Sequence, residues 1–265
     1  MRKYGEVFRL SFKMQIVWRF DVVMTMVAAF AHIVTMRILW QAIFEGKELV
    51  GGFTFDAMLS YHVVCAILRS VDFSNQISGE VSELIRDGRF SGYMVTPINP
   101  MGFFGFMVAG ETAFHLGFSV MAAAVCALIF RLQVNVTAHL PCILLAAAAI
   151  PLGLSFMACF RYLLGILTFQ FMEITFILYM QMSVVAFATG ALVPLALLPK
   201  PVLDVLRYMP FTHVIYTPAM LLTGQADAAE GLFGLAVLLV WTVFMAILAQ
   251  AAYRRLRVRY DGVGI

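Results

Sequence analysis

Charge is what this sequence has least of. Asp, Glu, Lys and Arg make up 12% of 265 residues, against about a quarter in an ordinary soluble domain, which excludes a chain folded wholly in water. The net charge of +3 is too small for the basic surface that nucleic acid demands. Cysteine is scarce too: Cys65, Cys126, Cys142 and Cys159 stand singly in apolar runs and read as small core residues. No two histidines share ligand spacing with a carboxylate or thiolate, so no metal site is expected. Catalytic signatures are missing as well. There is no Gly-x-Ser-x-Gly, no His-Glu-x-x-His and no pair of aspartates central to an apolar run, which speaks against an intramembrane enzyme. A nucleotide-cradling loop needs Gly-x-x-x-x-Gly-Lys followed by Ser or Thr; Gly46-Lys47 is followed by Glu48 and lacks the upstream glycine.

What is present is apolar length. Hydrophobic residues form 62% of the chain and the mean hydropathy is +0.91. Several runs exceed the ~20 residues that cross ~30 Å of hydrocarbon, without the two-residue alternation of a membrane strand. The fold expected is an all-α integral membrane protein, one domain over 1–265, with six spans at 22–44, 57–73, 101–130, 140–160, 174–195 and 231–253. Arg161 and Glu173 are expected to mark a tight turn between the fourth and fifth spans, with Arg161 at the inner end of the fourth. Before the first span, residues 1–20 interleave Arg2, Lys3, Arg9, Lys13 and Arg19 with Phe8, Phe12, Ile16 and Phe20. That pattern reads as an amphipathic helix at the membrane interface, not a cleaved signal peptide.

Lys and Arg are retained on the cytoplasmic side. With six spans, one side holds the N-terminal basic residues, Arg69, Arg86, Arg89 and the C-terminal Arg254, Arg255, Arg257 and Arg259; the other holds only Lys47, Arg131, Lys200 and Arg207. Both termini are therefore expected in the cytoplasm, together with the one long charged segment, 80–100. There Glu80, Glu83, Leu84, Ile85, Arg86, Asp87, Gly88 and Arg89 suggest a short surface helix, broken afterwards by Gly92, Pro97 and Pro100. Such a segment is either a solvated loop or a docking element for a soluble partner. On the opposite side, Pro194 and Pro199 break the fifth span, and 196–225 stays apolar although Pro210 and Pro218 prevent a further full span, which favours re-entrant helices over an ordinary polar loop.

Polar residues inside spans are costly and usually face protein or water. His32, Arg37, His62, Glu111, His115 and Arg161 qualify. Glu111 and His115 lie four apart on one helical face, either on a substrate route or as an internally satisfied pair. The 17 Met and 24 Phe suit an adaptable greasy cavity or plain lipid-facing packing. A secondary transporter or channel is the alternative class, but its helix breaks belong near midplane, whereas these cluster near the outer surface.

Several stretches together carry a resemblance. They are Phe12-Lys13-Met14-Gln15 through Trp18-Arg19-Phe20-Asp21, Phe53-Thr54-Phe55-Asp56, Leu84-Ile85-Arg86-Asp87-Gly88-Arg89, Thr96-Pro97-Ile98-Asn99-Pro100, Thr189 through Pro194, Tyr208-Met209-Pro210-Phe211, Tyr216-Thr217-Pro218-Ala219 and Arg259-Tyr260-Asp261-Gly262-Val263-Gly264. In this order they resemble the permease subunit of an ABC-2-type ATP-binding-cassette exporter, in the six-span branch usually paired with a sister permease and a separate ATPase. The resemblance implies a bacterial inner-membrane protein whose 80–100 segment is the coupling helix seated in an ATPase groove, with Leu84 and Ile85 as the aliphatic anchor. It implies that ATP and Mg bind the partner ATPase rather than this chain, and that a second permease, identical or sister, completes the path. Pro194, Pro199, Pro210, Phe211 and Pro218 would form the outer gate; Glu111, His115, His62 and His32 would lie along the path. Members of the family export drugs, lipids, peptides and glycoconjugates, and no residue here chooses among them.

Overall fold

A computed structural model of the chain describes residues 2–17, 19–130, 135–171 and 173–259. Trp18, Arg131 and the Tyr260–Gly264 run, which carry part of the resemblance and of the charge asymmetry, lie outside the described residues. Those described form eleven α-helices: α1 (Arg2–Val17), α2 (Arg19–Ile43), α3 (Phe55–Ser70), α4 (Asn75–Arg86), α5 (Ser91–Val95), α6 (Pro100–Phe130), α7 (Leu140–Ile166), α8 (Thr175–Ala188), α9 (Lys200–Leu206), α10 (Tyr216–Leu222) and α11 (Ala228–Leu256). Short 3-10 turns follow α7, at Leu167–Phe169, and precede α9 and α10, at Leu195–Leu197 and Pro210–His213.

Local chemistry sets several of these starts. The Thr54 hydroxyl accepts the Ala57 amide at 3.3 Å and caps α3. Asp227 accepts the Glu230 amide at 2.8 Å and caps α11, satisfying an amide that the first helical turn leaves free. Among the described residues, four helices are long and apolar enough to cross a bilayer: Val22–Ile43, Pro100–Ile129, Leu140–Phe169 and Ala228–Leu256. The second and fifth expected spans are shorter than their apolar runs. α3 has 16 residues and α8 has 14, rises of about 24 and 21 Å at 1.5 Å per residue. The fourth extends past its expected end at 160 to Ile166.

α1 lies along the first half of α6 and runs in the same direction. Tyr4 stacks on Phe106 (5.3 Å between ring centroids), Phe12 meets Phe114 edge-on (5.4 Å), and Gln15 reaches His115 at 3.1 Å. The expected stripe ends at Ile16, because Phe20 belongs to α2 and is 72% exposed. On the side of α1 away from α6, Leu10, Met14 and Val17 are exposed beside Lys13.

Helices α7 and α11 form the most extensive pair and carry two apolar cores at opposite ends. One gathers Trp40, Tyr61, Phe156, Leu195, Tyr216 and Leu238 from α2, α3, α7, the Leu195–Leu197 turn, α10 and α11. The other gathers Ile77, Ile85, Phe90, Phe104, Tyr162 and Tyr253 from α4, the turn before α5, α6, α7 and α11.

Candidate functional site

The end of the bundle that carries α4 is built on a three-residue ladder. Ile77, Val81 and Ile85 recur every four residues, so they share one helical edge, and all three are buried. α4 lies so close to α7 that a Cβ on Gly165 would sit 2.8 Å from the Val81 Cβ, an approach only glycine permits. Thr168 donates to the Ser82 hydroxyl at 2.9 Å across the same contact. The helix therefore begins five residues before the charged stretch and ends at Arg86. Ile85 is 5% exposed and Leu84 is half-buried. The expected anchor at Ile85 thus points into the chain's own core, because the buried edge repeats from Ile77. Among the large apolar residues exposed at this end, Val95 on α5 is the most exposed at 85%, with Val258 at 81% and Phe171 at 50%.

The charged edge of α4 is internally paired. Arg86 Nη1 donates to Glu173 Oε2 at 3.1 Å, and Arg89 Nη2 donates to Asp87 at 2.7 Å and Glu83 at 3.3 Å. All are exposed pairs, each worth roughly 0–1 kcal/mol. They act on ionisation nonetheless. Hydrogen bonds from Thr175, then the Arg86 charge, hold the Glu173 carboxyl below its usual range, and the bond to Asp87 raises Arg89 further. Burial, then the Glu83 charge, pushes Glu80 above the carboxylate range. Through Glu173 the end of α4 is tied to the segment leading into α8. Arg161 does not share this turn: its guanidinium is buried and donates to Gln181 of α8.

The four residues expected along the path, Glu111, His115, His62 and His32, have different neighbours. His115 meets Gln15 and lies tilted against Phe73 at 4.4 Å between ring centroids, while one turn before it Glu111 Oε2 is buried without a partner. Between α2 and α3, the Trp40 indole donates to His62 Nε2 at 2.7 Å. His62 Nδ1 must then carry the proton, and it has no partner. His32 lines a separate cavity of about 340 Å³ with Arg69, Ser70 and Thr25.

At the other end, the prolines set the chain turns. Pro194 precedes the Leu195–Leu197 turn, Pro199 precedes α9, Pro210 opens the Pro210–His213 turn, and Pro218 is buried in α10. Phe211 packs edge-on against Phe156 and Phe160 of α7 at 5.4 and 5.3 Å. Gly190 takes a φ of +71°, and its carbonyl accepts the Tyr61 hydroxyl at 2.7 Å. A side chain there would meet both Leu195 and Tyr61. Thr212 donates to the Leu206 carbonyl at 2.8 Å and lies 3.4 Å from that of Ala188.

His213 completes this end, although nothing in its sequence surroundings beyond the flanking Pro210 and Pro218 marks it. Its Nε2 donates to the Arg207 carbonyl at 2.9 Å, so Nδ1 accepts from Thr217 at 2.8 Å. Burial, then the Arg207 charge, lowers its pKa against the opposing effect of that carbonyl bond. It borders a cavity of about 490 Å³ lined also by Asp204, Arg207, Tyr216, Asp227 and Glu230.

No curated protein matches the chain. The family described as ABC-2 family transporter protein matches residues 30–264, from the middle of the first long helix to the C-terminal end, and so takes in α3 to α11 with both packed ends. With its apolar helices, that match over most of its length makes the chain a multi-pass membrane permease that belongs to the ABC-2 family of transporter proteins.

Proposed function

We propose that this chain is the membrane-spanning subunit of an ATP-driven exporter. Family membership implies an ATPase in the same transport system; beyond that, two permease copies, identical or sister, are driven by two ATPase copies that bind the ATP and Mg. α3 and α8 act as short second and fifth spans, making six, with both termini and the α4 end in the cytoplasm of a bacterial inner membrane. α1 lies at the inner interface, its exposed Leu10, Met14 and Val17 toward lipid. The 196–225 segment is re-entrant, and Pro194, Pro199, Pro210, Phe211 and Pro218 shape the outer gate. Glu111 with His115 and His32 with His62 mark two stretches of the route.

One observation supports this most. α4 is fixed to α7 by its buried edge, while Val95 and the charged edge around Glu83, Asp87 and Arg89 stay outside, where a partner can reach them. Force applied there has a continuous path: from α4 through Arg86 and Glu173 into α8, and from the far end of α8 to the gate through Tyr61 with Gly190 and Thr212 with Ala188. ATP closure of the paired ATPases shifts α4, α8 carries the shift, and the gate alternates between two packings. A buried aliphatic knob supplies affinity in such an interface and charges set register; Val95 is that knob. The test is to recover the tagged chain from its native membrane in mild detergent. A P-loop ATPase with vanadate-sensitive activity is expected alongside it, and is lost from the Val95→Asp variant. A chain that comes down alone, or equal ATPase recovery with Val95→Asp, overturns the assignment.

A further inference from the structure

We propose that Arg161 is an anion-binding residue that takes a phosphate or carboxylate group reaching it from the α8 side. Arg161 is only 4% exposed. Its Nη1 donates to Gln181 Oε1, and its Nε has no partner. The ion pairs among the described residues join Arg86 to Glu173 and Arg89 to Glu83 and Asp87, and none includes Arg161. Asp72 acts on it only through space and has its carboxylate engaged by the Ser74 amide at 3.0 Å. A guanidinium keeps its charge and presents five donors in a fixed fork. With the Asp72 carboxylate acting only at a distance, the buried charge is unfavourable, and the orphaned Nε leaves one edge of the fork unmatched. Phosphate and carboxylate are the groups that match it in pairs.

The wall over this site is thin. α8 meets the bundle along Gln181, Val185 and Ala188, while Phe176, Tyr179, Met180 and Val184 are exposed. Gln181 is itself steadied by donating to the Leu178 carbonyl at 2.9 Å, so its oxygen is held on Arg161 in place of the anion. When α8 moves away, Gln181 leaves with it and the fork opens. The anion belongs either to a lipid headgroup or to a soluble molecule. This inference concerns the permease chain alone and stands whether or not the ATPase docks at Val95.

Thermal unfolding of the purified full chain in a neutral maltoside detergent tests it, with three probes titrated: dioctanoyl phosphatidylglycerol, dioctanoyl phosphatidylcholine and glycerol phosphate. The wild-type Tm is expected to rise with an anionic probe and not with the choline lipid. A rise with glycerol phosphate assigns a soluble anion; a rise with phosphatidylglycerol alone assigns a headgroup. Gln181→Glu places a carboxylate on the fork at nearly constant size. It is expected to melt at or above wild type yet to need about tenfold or more anionic probe for the same shift. Arg161→Gln loses the response and Arg161→Lys keeps part of it. An anionic response equal in wild type, Gln181→Glu and Arg161→Gln, or no response of wild type to either anionic probe, overturns the proposal.

Discussion

Ile85→Ala isolates the step by which α4 is held to the bundle. A 12-residue helix is marginal in water on its own, so α4 persists through the edge formed by Ile77, Val81 and Ile85, closed by Phe90 and Tyr162. Ile85 is 95% removed from solvent by that packing, against an exposure of 5%, and trimming such a side chain to alanine costs about 2–5 kcal/mol. Local opening of α4 then becomes roughly 25- to 3,500-fold more frequent. Amide hydrogen exchange across 79–86, measured by mass spectrometry on the full chain, is expected to accelerate by that factor while α11 stays protected. Val95→Ala is the control, because an exposed side chain changes stability by no more than about 0.5 kcal/mol. Unchanged exchange across 79–86 in Ile85→Ala refutes the anchoring of α4 by its buried edge.

Three further outcomes follow from the same geometry. Gly165→Val forces a side chain into the 2.8 Å gap at Val81 and is expected to destabilise the α4 end by about 1–3 kcal/mol, read in the same exchange experiment. Tyr61→Phe strands the buried Gly190 carbonyl and is expected to cost about 1–3 kcal/mol in thermal unfolding, with Gly190→Ala failing more severely because of its positive φ. Glu80 has a raised folded pKa, so its contribution is fully present below the ordinary value of 4.5 and is lost as pH rises through the raised value. Glu80→Gln is therefore expected to flatten the fall in Tm above pH 4.5; a slope identical to wild type removes Glu80 as its source.

The long helices are legible in the sequence because a run of apolar residues of that length has no other stable solution in a membrane. What charge marks is the wet side of an element. It locates the 80–100 segment but not the helix, whose start at Asn75 is set by Ile77, Val81 and Ile85 on the dry side. For the same reason Ile85 reads as a surface anchor from its charged neighbours, although its own spacing places it inward. Partners distant in sequence are illegible. Arg161 and Glu173 look like neighbours across a turn, yet one turns to Gln181 and the other to Arg86, choices made by the packing of α4 and α8 on α7. His213 is missed because its hydrogen bonds to Arg207 and Thr217 arise only once the proline-set turns bring those groups together.

Nucleotide state at the α4 end is expected to move the α10 end. Val205 on α9 is 60% exposed, and of the four native cysteines three are buried, so Val205→Cys accepts a spin label selectively. The distance between the labels of two copies in the purified complex is the measurement, taken with ADP and with ATP trapped by vanadate. Two distinct distance distributions, one for each nucleotide state, are the expected result. A single distribution unchanged between the two states, in a complex that hydrolyses ATP, contradicts this coupling.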